Sequence, residues 1–255
     1  MPTVSRIDHL WRLAATGFAF ATLGLGGFVL ALTVIPLATT FTSDRRARER
    51  RAQGIIRASF RFYVAVLQWL GVLRLEVRGA ERLASCRGNL VIANHPTLLD
   101  VVLIVALLPD ARCVVKHQLW RHPFLGPLVR VAGYLRNDQE PQAFIENCRA
   151  ALDAGSNLVI FPEGTRSVPG CRPRFHRGFA HIATLTGADL QLVTITCDPI
   201  TLVKGQAWYA IPAKPPTFRI EIGERLRTKT FLDMPTRARG ARKLVSYLES
   251  YYVGS

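Results

Sequence analysis

The run Asn94-His95-Pro96-Thr97-Leu98-Leu99-Asp100 sets an imidazole and a carboxylate five positions apart. Leu90, Val91, Ile92 and Ala93 come directly before it. That order predicts a strand emptying into a turn, then an apolar helix beginning near Thr97. An Asp hydrogen-bonded to one ring nitrogen of His95 would fix its tautomer and favour the imidazolium that forms on proton uptake. The other nitrogen could then take a proton from a hydroxyl. The chain holds no G-x-S-x-G serine elbow, so that hydroxyl is expected on a substrate rather than on the protein. A lone histidine is usually a structural or surface residue, and the pair needs support from elsewhere.

Phe161-Pro162-Glu163-Gly164-Thr165-Arg166-Ser167 supplies it. The run follows a second β-rich stretch, Leu158–Phe161. Gly164 permits a tight turn and close backbone approach. Arg166 offers a planar fork that matches a phosphate. Taken alone, the run reads equally well as a turn with a surface Arg–Glu pair. Arg174, His176 and Arg177, ahead of Gly178, would complete an anion pocket or form a solvated charged loop. Between the two runs, Arg136 ends the segment Gly133-Tyr134-Leu135-Arg136 and would point into the same cleft or out to solvent.

These residues need a scaffold that brings them together. Short β-rich runs alternate with helical patterns from Leu75 to Arg225. Strands are expected at Leu73–Val77, Leu90–Ala93, Cys113–Lys116, Leu158–Phe161, Leu192–Thr196 and Phe218–Ile222. Helices are expected at Leu98–Leu108, Leu119–Val131, Gln142–Ala154, Phe179–Thr186 and Thr236–Tyr252. The alternation predicts an α/β fold, a mixed sheet flanked by helices. Ahead of it, Leu13 to Ser43 contains no charged residue in 31 positions, enough helix to cross a hydrocarbon core of ~30 Å. The run is too long for a signal peptide. Arg45, Arg46, Arg48, Arg50 and Arg51 follow it, a bias that places the downstream domain in the cytoplasm. Gly24, Gly26, Gly27 and Pro36 could instead fold the segment into a re-entrant hairpin. Ile55–Leu73 is expected to lie at the interface, with Arg57 and Arg61 reaching lipid phosphates, or to be a core helix with two snorkelling arginines. Residues 1–74 would thus be an N-terminal membrane-anchoring segment and 75–255 the catalytic domain.

With 33 Lys and Arg against 18 Asp and Glu, the formal charge is +15. That favours an anionic partner such as a membrane surface, an acidic carrier protein, a phosphorylated substrate or nucleic acid. A nucleic-acid role leaves the apolar segment and both motifs unexplained. The five cysteines, at 86, 113, 148, 171 and 197, show no zinc-ligand spacing and read as reduced thiols.

Together the motifs resemble the glycerolipid acyltransferase family, typified by 1-acylglycerol-3-phosphate (lysophosphatidic acid) acyltransferases, over roughly Val77 to Leu226. Asn94, His95 and Asp100 match the family's N-H-x-x-x-x-D block, and Phe161 to Ser167 match its F-P-E-G-T-R-S block without a change. The segment ending in Arg136 is similar to the middle block, whose arginine binds the acceptor phosphate. Two departures stand out. Leu135 replaces the aspartate common before that arginine, and Leu192-Val193-Thr194-Ile195-Thr196 lacks the proline of the fourth block.

The resemblance implies a membrane-bound acyltransferase of phospholipid biosynthesis, on the cytoplasmic face of the membrane. The acyl group would pass from acyl-CoA or acyl carrier protein to the hydroxyl of 1-acylglycerol-3-phosphate. His95 would be the base and Asp100 its orienting acid. Arg136, Glu163, Gly164, Thr165 and Arg166 would bind substrate, with backbone N–H groups near Glu163–Gly164 stabilising the oxyanion. This chemistry requires no cofactor, no metal and no covalent acyl-enzyme. Membrane lipids and the acyl donor are the expected partners. The departures leave an ornithine- or glycine-type aminolipid, or another specialised lipid, open as acceptor. A catalytically silent lipid-binding protein is the rival of a different class.

Overall fold

The computed structural model describes residues 6–168 and 170–253. The first helix, α1 (Arg6–Val29), runs through a π-helical turn at Leu30–Val34 into α2 (Ile35–Thr39). The glycines and Pro36 therefore do not fold this segment back on itself. Proline removes one backbone donor, and the wider turn just before it accommodates the ring without ending the helix. The reversal comes at residues 40–44, where Asp44 caps α3 (Arg45–Trp69) by accepting the Ala47 N–H at 2.7 Å. Helix α3 returns antiparallel to α1: Tyr63 Oη donates to the Ala19 carbonyl and Trp11 Nε1 to that of Leu70, both at 3.1 Å.

Next come β1 (Arg74–Arg78), α4 (Ala80–Ala84), β2 (Leu90–Ala93), α5 (Asp100–Leu107), β3 (Ala111–Val115), α6 (His117–Trp120), α7 (Gly126–Val131) and β4 (Leu135–Arg136). The chain continues through α8 (Pro141–Asp153), β5 (Asn157–Ile160), α9 (Gly178–Thr186), β6 (Leu190–Asp198), β7 (Thr217–Leu226), α10 (Lys229–Leu232) and α11 (Arg237–Val253). The seven strands form one mixed sheet in the order β1-β7-β6-β2-β5-β3-β4. Strands β6, β2, β5, β3 and β4 are parallel, whereas β7 runs antiparallel to β6 and pairs in parallel with β1.

Alternating side chains of the central strands face two helical layers. Val91 and Ala93 share a core with α3, α5 and the N-terminal helices. Leu90 and Ile92 share the other core with α8, α9 and α11. Residues such as Ala19, Ile35, Ile56 and Tyr63 thus belong to the same core as the sheet.

Several elements differ from the sequence reading. The stretch expected as one helix over Leu119–Val131 breaks into α6 and α7. Pro123 removes a donor there, and His122 Nδ1 accepts the Phe124 and Leu125 N–H groups at 3.3 and 3.2 Å, which closes a turn instead. The helix expected near Thr97 begins at Asp100, since residues 97–99 form the turn that seats Asp100. Strand β4, only two residues long, falls below any periodic signal. Arg57 does not reach outward to lipid. Its guanidinium donates to the Leu107 carbonyl at 3.1 Å, placing a cation at the C-terminal end of α5, where the helix dipole favours it.

Candidate active site

Strand order alone gathers the chemical residues. The four parallel strands β2, β5, β3 and β4 end on one edge of the sheet, so the segments after them share that edge. His95 follows β2, residues 161–167 follow β5, Lys116 and His117 follow β3, and Arg136 closes β4. Strand β2 also lies where the order reverses, its successors β3 and β6 falling on opposite sides of it. Open α/β sheets bind ligands at such a point, beyond the carboxyl ends of the strands.

Asn94 continues the ladder past the end of β2. Its Nδ2 donates to the Ile195 carbonyl at 2.8 Å and its Oδ1 accepts the Ile195 N–H at 2.7 Å, so the side chain pairs with β6 as backbone would. This fixes the direction in which His95 leaves the sheet. His95 Nδ1 lies 2.8 Å from Asp100 Oδ2. The same Oδ2 accepts the Thr97 N–H at 2.7 Å, and Oδ1 accepts the Thr97 hydroxyl at 2.6 Å. Thr97 Oγ1 in turn accepts the Leu99 N–H. Thr97, in the turn before α5, thus holds the Asp100 carboxylate through both its N–H and its hydroxyl and keeps it turned to the imidazole.

Asp100 is fully buried. Burial raises its carboxyl above the ordinary value of 3.8, against the opposing pull of His95 and Thr97. The His95 side chain is 17% exposed, and no protein group among the described residues bonds its Nε2. That nitrogen is free for a substrate. The Phe161 ring lies 4.3 Å from the imidazole, centroid to centroid, tilted 31°, which limits ring rotation.

The two motif loops are joined through Glu163. Its Oε1 accepts the His95 backbone N–H at 3.0 Å and the Ser167 hydroxyl at 2.8 Å, while Ser167 N–H donates to the His95 carbonyl at 2.7 Å. Residues 68 positions apart are thereby held across neighbouring strand ends. Gly164 takes φ +64°, and a Cβ there would meet the His176 ring at 2.9 Å. Glycine answers both constraints at once. Arg166 Nη1 donates to the Leu202 and Val203 carbonyls, both at 2.9 Å, so part of its fork holds the connection that follows β6. Thr165 is half-buried.

Arg136 lies three strand spacings from β2, ~14 Å across the sheet. It does not present a bare fork. Its Nε and Nη2 meet the Asp138 carboxylate at 2.9 and 3.2 Å, and its guanidinium sits 5.8 Å above the Trp120 ring. His117 Nδ1 approaches the same carboxylate at 3.2 Å, and Arg136 holds Asp138 below the ordinary carboxylate range.

Sequence reasoning passed over Thr97, Ser167, Phe161 and Tyr252 as parts of this site. Thr97 carried a signal, its spacing to Asp100. Tyr252 carried none: its hydroxyl donates to the Ile92 and Val193 carbonyls at 2.8 and 3.1 Å from 160 and 59 positions away. Among the described residues no cluster of His, Cys, Asp and Glu has the makings of a metal site, and all five cysteines are free thiols.

An acyltransferase family profile matches residues 74–198, the span holding every residue of the two motifs. The chain is 33% identical over 138 residues to a 1-acyl-sn-glycerol-3-phosphate acyltransferase of Cocos nucifera, covering 51% of this chain and 44% of that protein. To an enzyme of the same description from Limnanthes alba it is 31% identical over 143 residues, covering 54% and 50%. It therefore spans about half the length of these relatives. The structure of the 1-acyl-sn-glycerophosphate acyltransferase PlsC from Thermotoga maritima superposes with a TM-score of 0.71 at 21% identity, over 96% of each chain, and so shares the fold. By the matched domain and these relatives, residues 74–198 form an acyltransferase domain similar to that of the 1-acyl-sn-glycerol-3-phosphate acyltransferases.

Proposed function

We propose that the protein transfers a fatty acyl group from a thioester donor, acyl-CoA or acyl carrier protein, to the hydroxyl of 1-acylglycerol-3-phosphate at a membrane surface. The observation that carries this reading is the His95–Asp100 pair at 2.8 Å, with Nε2 unpartnered and the pair held to the 161–167 loop by Glu163. His95 Nε2 takes the acceptor's hydroxyl proton as that oxygen attacks the thioester carbonyl. Asp100 steadies the imidazolium that results. The tetrahedral intermediate collapses with cleavage of the C–S bond, and the imidazolium returns its proton to the departing sulfur. General-base help of this kind is worth roughly 10²–10⁴-fold. Arg136 is the anchor for the acceptor phosphate, since its guanidinium lies on the same sheet edge. Arg166, half committed to the backbone, supports the loop and leaves its remaining donors for an anion.

Membrane attachment rests on α1 and α2. Together they form a helix long and apolar enough to cross a bilayer, Arg6–Thr39. Ile7, Trp11, Phe18, Leu25 and Leu37 are exposed along it, and Phe41 in the turn that follows. Its other side is committed to protein. Arg12 donates to the Pro212 and Ala213 carbonyls at 2.9 and 2.7 Å, Gly17 packs under Trp208, and Gly27 under Leu125. A helix held to the domain along its length fits insertion of one side into one leaflet. The basic turn after it suits the anionic cytoplasmic leaflet.

The test is acyl transfer in detergent by the full chain, with both thioester donors and a panel of lyso-lipid and aminolipid acceptors. Leu135 and the proline-free β6 justify the breadth of the panel. The expected result is acylation of 1-acylglycerol-3-phosphate, lost by at least 10²-fold in His95→Ala. No acylation of any acceptor, or full activity in His95→Ala, overturns the proposal.

A further inference from the structure

The sheet face covered by α9 and α11 carries a charge distribution that the acyl-transfer site does not use. The loop at 170–177 and helices α9 and α11 contain one acidic residue, Glu249, against Arg172, Arg174, Arg177, Arg239, Arg242, Lys243 and a further arginine at 237. All seven cations are exposed, and none makes an ion pair among the described residues. Glu249, whose carboxylate accepts the Phe175 N–H at 3.0 Å, offsets only one of the seven. Unpaired cations in such number repel one another at a cost to the folded chain, and an anionic partner relieves it.

Two features decide what kind of partner. The first is proximity to the site. His176 N–H donates to the Pro162 carbonyl at 2.8 Å, and its ring packs against Gly164. Phe175 packs edge-on against Tyr252 at 5.5 Å, and Tyr252 caps the end of β2 just before His95. A body seated on Arg172, Arg174 and Arg177 therefore stands beside the catalytic loops.

The second feature is orientation. The apolar helices α1 and α2 share the core on one face of the sheet, whereas α8, α9 and α11 cover the other. A bilayer holding α1 lies away from the α11 surface, so the cations there address a soluble body. We infer that this surface, centred on Arg172, Arg174 and Arg177 and extended by α11, docks an acidic carrier protein that presents the acyl thioester. The inference rests on the thioester-donor reading above.

The experiment compares one acyl group delivered on acyl carrier protein and on CoA to the full-length protein in detergent. The variants are Arg172→Glu/Arg174→Glu/Arg177→Glu and, separately, Arg239→Glu/Arg242→Glu/Lys243→Glu. Charge reversal at a docking rim acts on encounter. The expected KM for the carrier-protein donor rises about tenfold or more in the first variant and less in the second. The KM for the CoA donor and retention on anionic vesicles stay within about twofold. CoA-dependent activity shows that each variant is folded. If the first variant loses it, the Arg→Gln triple, which keeps most of each side chain, must still raise the carrier-protein KM. Equal changes with both donors, loss of vesicle retention with an unchanged carrier-protein KM, or wild-type transfer from CoA alone each overturn the inference. Failure of wild type with both donors overturns the acyl-transfer reading itself.

Discussion

Asp100→Asn separates charge from shape at the proposed catalytic pair, His95 and Asp100. Asn is nearly isosteric, and the local hydrogen bonds can be rebuilt around it. Its carbonyl oxygen can take the place of Oδ2 and accept the Thr97 N–H and the His95 Nδ1–H. Its NH₂ then faces Thr97 Oγ1, a hydroxyl able to accept as well as donate. What disappears is the negative charge beside the imidazolium of the transition state. For charge centres about 4 Å apart at an effective dielectric of about 20, that interaction is worth about 4 kcal/mol. At about 1.4 kcal/mol per tenfold, kcat should fall about 10³-fold. The measurement is initial-rate acyl transfer at saturating donor and acceptor.

Stability should move the other way. Burial raises the Asp100 carboxyl in the folded chain above its unfolded value of 3.8. Between the two values the folded state holds a proton that the unfolded state has lost. The ionised side chain therefore subtracts stability, and the penalty is complete at pH above the raised value. Falling pH through that value removes the penalty. Asp100→Asn has no proton to gain, so at neutral pH its Tm should match or exceed that of wild type while its activity collapses. Near pH 4 the gap should close. If Asp100→Asn keeps more than about a tenth of wild-type kcat, the charge is not what the reaction uses. If it unfolds at neutral pH, the carboxylate is a structural anchor and the assignment of the pair fails.

Two further substitutions probe the residues around it. Glu163 meets the protein through Oε1, which Gln reproduces, so Glu163→Gln should stay within about threefold of wild type, whereas Glu163→Ala, losing bonds to both His95 and Ser167, should lose about 10²-fold in kcat; an equal loss in both would assign the negative charge a direct part in the chemistry. Asp138 competes with an acceptor phosphate for Arg136, so Asp138→Asn should lower the acceptor KM by a few-fold and Arg136→Ala should raise it about tenfold or more. Unchanged acceptor KM values in both would place the phosphate elsewhere.

The central strands were legible as runs of apolar residues, and the long helices as an apolar run in α1 or as amphipathic patterns in α8 and α11. Leu90–Ala93 and Leu158–Ile160 are uninterrupted apolar runs, as strands buried on both faces must be. The two motifs were legible because their residue types do chemistry that few folds need for packing. What stayed hidden was pairing across the sheet. No local pattern announces that β2 neighbours β5, and on that adjacency depends the contact between Glu163 and the His95 backbone. The role read for Glu163 from its motif was substrate binding, while the structure spends one of its oxygens on the neighbouring loop. Arg136 shows the same gap. Its place at a strand end was readable, but the carboxylate two residues on, which occupies its fork, was not read as its partner. Arg57 and Arg12 look in sequence like charges bound for water or lipid, and only the fold supplies the backbone carbonyls they satisfy.

The connection between β6 and β7, at 199–216, joins the N-terminal helix to the candidate site. One end of it receives the site: the Leu202 carbonyl accepts both the Leu98 N–H and the Arg166 guanidinium. Leu202 holds φ +54°, a conformation uncommon for a branched side chain, and the bonds to its carbonyl keep it there. The other end receives the N-terminal helix, through Arg12 on Pro212 and Ala213 and through Trp208 under Gly17. Arg12 is 3% exposed although charged, and its ion pair with Asp8 at 3.0 Å together with its two carbonyl bonds offsets the desolvation that burial costs it. A linker that merely tethered an enzyme to lipid would need none of these contacts. Their presence means that α1 fixes the orientation of the His95 loop relative to its own exposed apolar side. Under the membrane-bound reading proposed above, insertion of that side into a leaflet sets the His95 edge at a defined height and angle to the lipid surface.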